Sequence, residues 1–379
     1  MNALEKLTKH APDLAFELPN GTPVVKLGLI ATLYFKEGYT AESKQSVAEC
    51  FERFYKEFGP HLKGQYLGRY KKLTPSNFDK SFSHILATGP NEEVEWFLSS
   101  ASTALEAADY SISTLNSFEV HGDKVRSYIK LVMPWSFLSE PGGLERYQEW
   151  LVYLCNKVKA EHGYGGLSSV LPFDYHSYMP TEFQIAQKYA GLEVDSMAHI
   201  STLKLIEHIK GINWFTVLGN TFTERLGGED AIRHALSGYG DVEVQTYDQG
   251  LIIRAGEYPE LGAKDDGLPA AYVAVNRVAR PVRIPNPDQL HSYSPYGDCF
   301  DMESTARWYS RFDQEDSAPT SPARIEAGKR CPQTGYWFSP AQQNSRRHFT
   351  QGEIMPEFKD SPWGATIWYW ASATDVKGG

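Results

Sequence analysis

Four cysteines in 379 residues, Cys50, Cys155, Cys299 and Cys331, are widely spaced and form no CxxC pair, which excludes a disulfide scaffold and a zinc ribbon. No stretch reaches the about 18 uninterrupted apolar residues that a membrane-spanning helix needs, so no membrane partner is expected. The longest apolar block, around Val24 to Phe35, is interrupted by Lys26 and Gly28. Met1-Asn2-Ala3-Leu4-Glu5-Lys6 lacks the basic cluster and apolar run of a signal peptide, and the expectation is a cytoplasmic protein with reduced thiols. An excess of positive charge is missing as well. Against 37 Lys and Arg stand 47 Asp and Glu, a formal charge of -10. Phosphate neutralisation is the main source of affinity for nucleic acid, so direct binding to it is not expected. Seven basic and five acidic residues fall between Ser321 and Gly379, leaving 30 basic and 42 acidic ones in the preceding body, or -12. Such a body suits a basic partner, although charge kept for solubility alone gives the same count.

The common catalytic signatures are absent too. There is no GxGxxG, no GxxxxGK[ST] and no HExxH, and Gly166-Leu167-Ser168-Ser169-Val170 misses the second glycine of GxSxG. His199 and His208 are too far apart to share a metal on one helical face. Cys331, His348 and Glu353 can be drawn as nucleophile, base and orienting group. Their spacing is arbitrary, and the simpler reading makes Cys331-Pro332 a turn whose sulfur packs under Trp337. No catalytic residue, metal or cofactor is expected.

Aromatic residues are abundant, with 19 Phe, 22 Tyr and 9 Trp making 13% of the chain, which calls for a large core, a ring-rich recognition surface, or both. Val24–Phe35 reads as a strand buried on both faces. Thr40 caps a helix from Ala41 that carries Val47, Phe51, Phe54, Tyr55 and Phe58 at helical spacing and stops at Gly59-Pro60. Tyr110–Ser117 and Lys124–Trp135 read as a hairpin. A second amphipathic helix follows Gly143 and stops before a glycine cluster at Gly163, Gly165 and Gly166. Thr181–Tyr189 fits a short helix and Ile212–Gly219 a strand. Gly227-Gly228 precedes a helix, and Val242–Thr246 with Gly250–Ala255 forms a hairpin. The pattern predicts the α/β (α+β) class, a mixed sheet layered with amphipathic helices, plus a small aromatic-rich C-terminal β module. The expected domains are 1–265, an irregular proline-rich connection and linker over 266–320, and the module over 321–379.

Carboxylate clusters are the candidate contacts for a basic partner. Glu92, Glu93 and Glu95 precede Trp96 and Phe97, Asp265 and Asp266 sit in a glycine-flanked turn near Tyr258 and Tyr272, and Asp313, Glu315 and Asp316 lie in the expected linker. Each cluster taken alone also reads as a solvated loop.

The stretch Asn213-Trp214-Phe215-Thr216-Val217-Leu218-Gly219, then Arg225-Leu226-Gly227-Gly228, Gly250-Leu251-Ile252-Ile253-Arg254-Ala255-Gly256 and Tyr258-Pro259-Glu260-Leu261-Gly262, resembles the signature of the type VI immunity family, the TsiV-like proteins encoded beside type VI secretion effectors. The likeness covers about two thirds of the chain, counting the region from Val24 through the helix at Leu144. The signature residues themselves read as structural: glycines for tight turns and close backbone approach, and Trp214 as a core ring.

The resemblance implies a non-catalytic immunity protein that binds one cognate secreted toxin and covers its active site. Absence of a signal peptide turns the expectation toward a toxin acting in the cytoplasm, such as a basic nuclease. The alternatives are an enzyme that reverses toxin damage and an adaptor or chaperone that loads the effector. The oligomeric state and the contacting face are left open by the sequence.

Overall fold

Thirteen residues, Pro23–Phe35, carry apolar side chains on both sides of one extended segment, and such a segment must be covered on both faces. It becomes the central strand of a large sheet. A computed structural model describes residues 3–291, 298–314, 324–332, 334–342, 345–358 and 366–372. The chain divides into two units, Met1–Asp313 and Gln314–Gly379.

The strands of the first unit are β1 (Phe16–Glu17), β2 (Pro23–Phe35), β3 (Gly64–Leu67), β4 (Arg69–Lys72), β5 (Glu95–Ser99), β6 (Ser111–Leu115), β7 (Ser127–Pro134), β8 (His162–Val170), β9 (Phe215–Gly219), β10 (Val242–Tyr247) and β11 (Gly250–Ala255). They lie side by side in the order β10-β11-β9-β8-β2-β7-β6-β5-β3-β4, with β1 added to β2. The helices are α1 (Ala3–His10), α2 (Ala41–Phe58), α3 (Pro75–Ala87), α4 (Gly143–Lys157), α5 (Met179–Ala186), α6 (Ala198–Lys204), α7 (Asn220–Arg225), α8 (Glu229–Leu236), α9 (Ala270–Ala279) and α10 (Met302–Tyr309).

The class is α+β, but the sheet is not mixed. Every ladder between strands of the large sheet is antiparallel. The reason lies in where the crossover helix goes. α4 joins β7 to β8, which flank β2 on opposite sides, so the crossover skips a strand and both neighbours run against β2.

β2 divides its side chains between two cores. Leu27, Leu29, Ala31, Leu33 and Phe35 enter the main core together with Phe51 and Phe54 of α2 and Leu151 and Leu154 of α4. Ile30 and Tyr34 point to the opposite face, into a smaller core with Val132, Tyr164, Trp308 and Tyr309. α2 starts where Thr40 accepts from the Ser43 amide, a cap contributing about 1 kcal/mol, and stops at Gly59. Trp214 is a fully buried ring whose Nε1 donates to Gly256 O at 3.0 Å. Gly227 and Gly228, at φ +92° and +91°, turn the chain into α8.

The glycine cluster at 163–166 follows the end of α4 at Lys157. It is part of β8, buried along its whole length between β2 and β9. A Cβ on Gly163 would stand 2.4 Å from Thr32 O, and one on Gly165 would stand 2.4 Å from the Tyr147 hydroxyl. Glycine is needed here because residues distant in sequence fill the space.

Part of the stretch expected as a connection, 266–320, is helical, in α9 and α10. α9 buries Ala271, Tyr272 and Val275 in the main core, and Arg283 pairs with Asp313 at 2.5 Å, so the first unit extends to Asp313.

In the second unit, β12 (Arg324–Glu326), β13 (Gly335–Phe338), β14 (Arg347–Phe349) and β15 (Ile367–Ser372) form a sheet in the order β12-β15-β13-β14. Its core is Cys331, Trp337, Phe349, Met355 and Trp368. Cys331 is therefore a packed side chain beside Trp337. His348 meets the Tyr336 ring, and Glu353 accepts from the Thr350 amide at 2.9 Å.

Candidate functional site

Strand alternation places one set of side chains from β3 to β7 in the helix-covered core and the other set on the opposite face. On β5, Trp96 and Leu98 go to the core, while Glu95 and Phe97 go to the other face. On β7, Ile129, Leu131 and Met133 are core residues, and Tyr128, Lys130 and Val132 turn away from them. Tyr66 of β3 and Tyr70 of β4 join that second set. The segment 171–176 after β8 and residues 195–199 rise beside these strands and enclose an open groove of about 740 Å³.

One end of the groove is aromatic. Phe173 lies over the sheet with its ring centroid 4.5 Å from Tyr66, 5.4 Å from Phe97 and 6.2 Å from Tyr70. The Tyr70 hydroxyl is tied down by donating to Ala101 O at 2.8 Å. The far wall carries Tyr175, stacked on His176 at 4.4 Å.

Charge in the groove is strongly one-sided. Glu93, Glu95, Glu106, Asp174 and Asp195 line it, with one lysine, Lys130, and two histidines, His176 and His199. Lys130 is committed: its Nζ lies 2.9 Å from Asp195 Oδ2 and donates to the Asp195 carbonyl at 2.9 Å. Asp195 is fully buried and also accepts from Thr32 Oγ1 at 2.8 Å and from the Tyr164 hydroxyl, with Lys210 at 3.4 Å behind it. Burial pushes the Asp195 carboxyl up, but Lys130 and Lys210 outweigh burial and hold its pKa down at about 2.

Glu95 sits differently. It is half-buried and has no cationic partner among the described residues. Burial and the neighbouring Glu93 push its pKa up, and a hydrogen bond from Tyr66 only partly offsets them. Glu182 lies buried behind the groove wall, accepting from Ser196 Oγ at 2.5 Å and Ser169 Oγ at 3.2 Å, and burial raises its pKa. Burial, then His176, lowers the His199 pKa, so that ring adds little positive charge near neutrality.

The sequence-derived candidates scatter across this geometry. Glu93 and Glu95 line the groove. Glu92 caps a turn instead, its Oε2 accepting from the Gly89 amide at 2.7 Å. Trp96 has no exposed surface: alternation turns it into the core, where it stacks on Phe51 at 4.1 Å, and it cannot serve as a partner-facing anchor. The rings that do face the groove are Phe97, Tyr66 and Phe173. Asp265 and Asp266 lie on an exposed turn, Asp266 3.4 Å from Lys6, and neither lines the groove. Asp313 is an internal partner of Arg283 and Asn276. Glu315 and Asp316 lie outside the described residues. Lys130, Asp195 and Lys210 had one legible hint, a lysine in the middle of the apolar run Tyr128-Ile129-Lys130-Leu131-Val132.

Carboxylates beside ring faces bind cations, by charge and by attraction to the ring quadrupole. No group of three or more His, Cys, Asp or Glu among the described residues is placed to hold a metal. No helix there is long and apolar enough to cross a membrane.

A family model described as TsiV, type VI immunity for VRR-NUC, matches residues 46–312. The chain belongs to the TsiV family. The match spans all the groove-lining residues and ends within the first unit, before the C-terminal sheet. The fold is similar to that of a solved T6SS protein of Pseudomonas aeruginosa, at TM-score 0.71 and 21% identity over 83% of this chain and 91% of that one. No curated protein matches the sequence. Membership in the TsiV family makes this a type VI immunity protein by class.

Proposed function

We propose that this protein protects its host cell by binding a nuclease effector of the type VI secretion system and covering the effector's active site, in the cytoplasm where the nucleic acid is. The observation that carries the reading is the family match over residues 46–312, whose description names immunity to VRR-NUC nucleases. Its physical support is the acidic groove. Nucleases hold phosphate with Lys and Arg, and a body of excess negative charge competes for the same basic surface and steers the encounter. The narrower form of the proposal rests on a resemblance in length and tail to TsiT, the antidote of the nuclease effector TseT.

The test is co-expression with the product of the neighbouring effector gene, followed by size exclusion and a nuclease assay on the purified pair. The reading expects rescue of growth, a stable complex and loss of DNA cleavage at stoichiometric ratio. A complex that still cleaves DNA overturns inhibition in favour of an effector-loading adaptor. Rescue without any complex points to an enzyme that repairs the damage.

A further inference from the structure

We infer that the groove between β5 and the segment 171–176 is an arginine slot: it receives an arginine-bearing loop of the effector, with Glu93 and Glu95 gripping the guanidinium and Phe97, Tyr66 and Phe173 packing its flat face. This rests on the effector-binding reading above and adds the contact residue and its chemistry.

Three features converge on that occupant. The first is shape. A groove of about 740 Å³ is larger than one side chain and open on one side, as an inserted loop requires. The second is charge. Among the charged lining residues, Lys130 and the buried Asp195 are bound to each other, which leaves four carboxylates, Glu93, Glu95, Glu106 and Asp174. Glu95 is left half-desolvated, with like charge from Glu93 beside it and no cation among the described residues. A half-buried carboxylate with a hydrogen bond from Tyr66 but no cation is costly in the free protein, and an incoming cation relieves that cost. The third is the kind of cation. Tyr66, Phe97 and Phe173 form one ring cluster at centroid distances of 4.5 and 5.4 Å, directly beside Glu95 on the strands. A planar guanidinium presents a fork of donors to two carboxylates and stacks on rings, whereas an ammonium is a strongly hydrated point charge that does neither as well. The buried Asp195 cluster stays apart from this exchange, because its ion pairs are already complete.

The probes are end-capped tetra-arginine and tetra-lysine peptides, titrated calorimetrically into the full chain at low and at physiological salt. The arginine peptide is expected to bind more tightly than the lysine peptide. Glu93→Gln with Glu95→Gln should weaken it at least tenfold, and Phe97→Leu severalfold, while Asp265→Asn with Asp266→Asn, on a distant exposed turn, should leave it unchanged. Melting temperatures near wild type show that the variants are folded. Equal binding of the two peptides, or an equal loss in the Asp265/Asp266 variant, overturns the slot in favour of diffuse electrostatics. The effector arm is scored separately. If the wild type rescues growth and the Glu93/Glu95 variant binds the effector with unchanged affinity, the slot is overturned and the immunity reading stands. If the wild type gives no rescue, the immunity reading falls, and the peptide titration still decides the slot.

Discussion

Lys130 reaches Asp195 at 2.9 Å, and with that contact the one lysine lining the groove is withdrawn from solution chemistry. Asp195 also shares the buried Lys210, 3.4 Å away, with Glu193 at 3.1 Å. Breaking one member of such a buried set leaves uncompensated charge, which costs about 3–5 kcal/mol. Asp195→Asn should lose stability of that order in urea denaturation. A variant as stable as wild type would show that Glu193, 3.1 Å from Lys210, suffices alone.

Acid should weaken the fold through two buried histidines. Burial lowers the His162 pKa to about 4 and the His291 pKa to about 3. Both rings are neutral in the folded protein, and the unfolded chain binds the extra proton first, from its ordinary value of 6.5 downward. The histidine contribution to stability is therefore full above about pH 6.5 and falls as pH drops toward 4, by about 3 kcal/mol for His162 alone. Denaturation midpoints measured across this window should show the slope, and His162→Gln should flatten it. An unchanged slope in that variant would remove His162 from the account.

Glu95 has the opposite sign. Its folded pKa is raised by burial and Glu93, so the folded state holds the proton more tightly than the unfolded chain, and stability falls as pH rises from the ordinary value of 4.5 through the raised one. At pH 7 the charge is a net cost. Glu95→Gln should then melt higher than wild type at pH 7 and no higher at pH 4. A lower melting temperature at pH 7 would mean that the charge already has a stabilising partner.

The glycines of β8 give a sharp contrast in tolerance. Gly163→Ala and Gly165→Ala drive a methyl within 2.4 Å of Thr32 O and the Tyr147 hydroxyl. Each should cost about 1–3 kcal/mol or more through overpacking. Gly238→Ala, where no atom lies within 4 Å, should fall within about 0.5 kcal/mol of wild type. Equal stability of Gly163→Ala and Gly238→Ala would mean that β8 relaxes around the added methyl.

Legibility in the sequence followed the range of the interactions concerned. The Thr40 cap, the end of α2 at Gly59 and the pairing of β10 with β11 are set by residues close in the chain, and composition alone reveals them. β8 was hidden for the reverse reason. Locally its glycines signal a turn; pairing with β2 and β9 makes the segment a strand, and the Thr32 carbonyl and the Tyr147 hydroxyl, brought in by other elements, leave no room for a Cβ at Gly163 and Gly165. The groove was half visible. The acidic run at Glu93 and Glu95 stood out, but Trp96 and Phe97 are both aromatic, so the pattern did not reveal which ring faces out. Phe173 comes to that face from the far end of β8. The turn at Asp265 and the pair at Asp313 looked equivalent to Glu95 as charges, and only packing separates an exposed turn and an internal ion pair from a groove wall.

The alternation along β5 has a consequence for how antidote and toxin keep step. Trp96 and Leu98 answer to the fold, and Glu95 and Phe97 answer to whatever enters the groove. The two vocabularies are interleaved on one strand yet meet on opposite sides of the sheet. If the groove holds an effector's arginine as proposed, a lineage whose toxin exchanges that residue can rewrite the groove one letter at a time, without renegotiating the core that keeps the molecule folded.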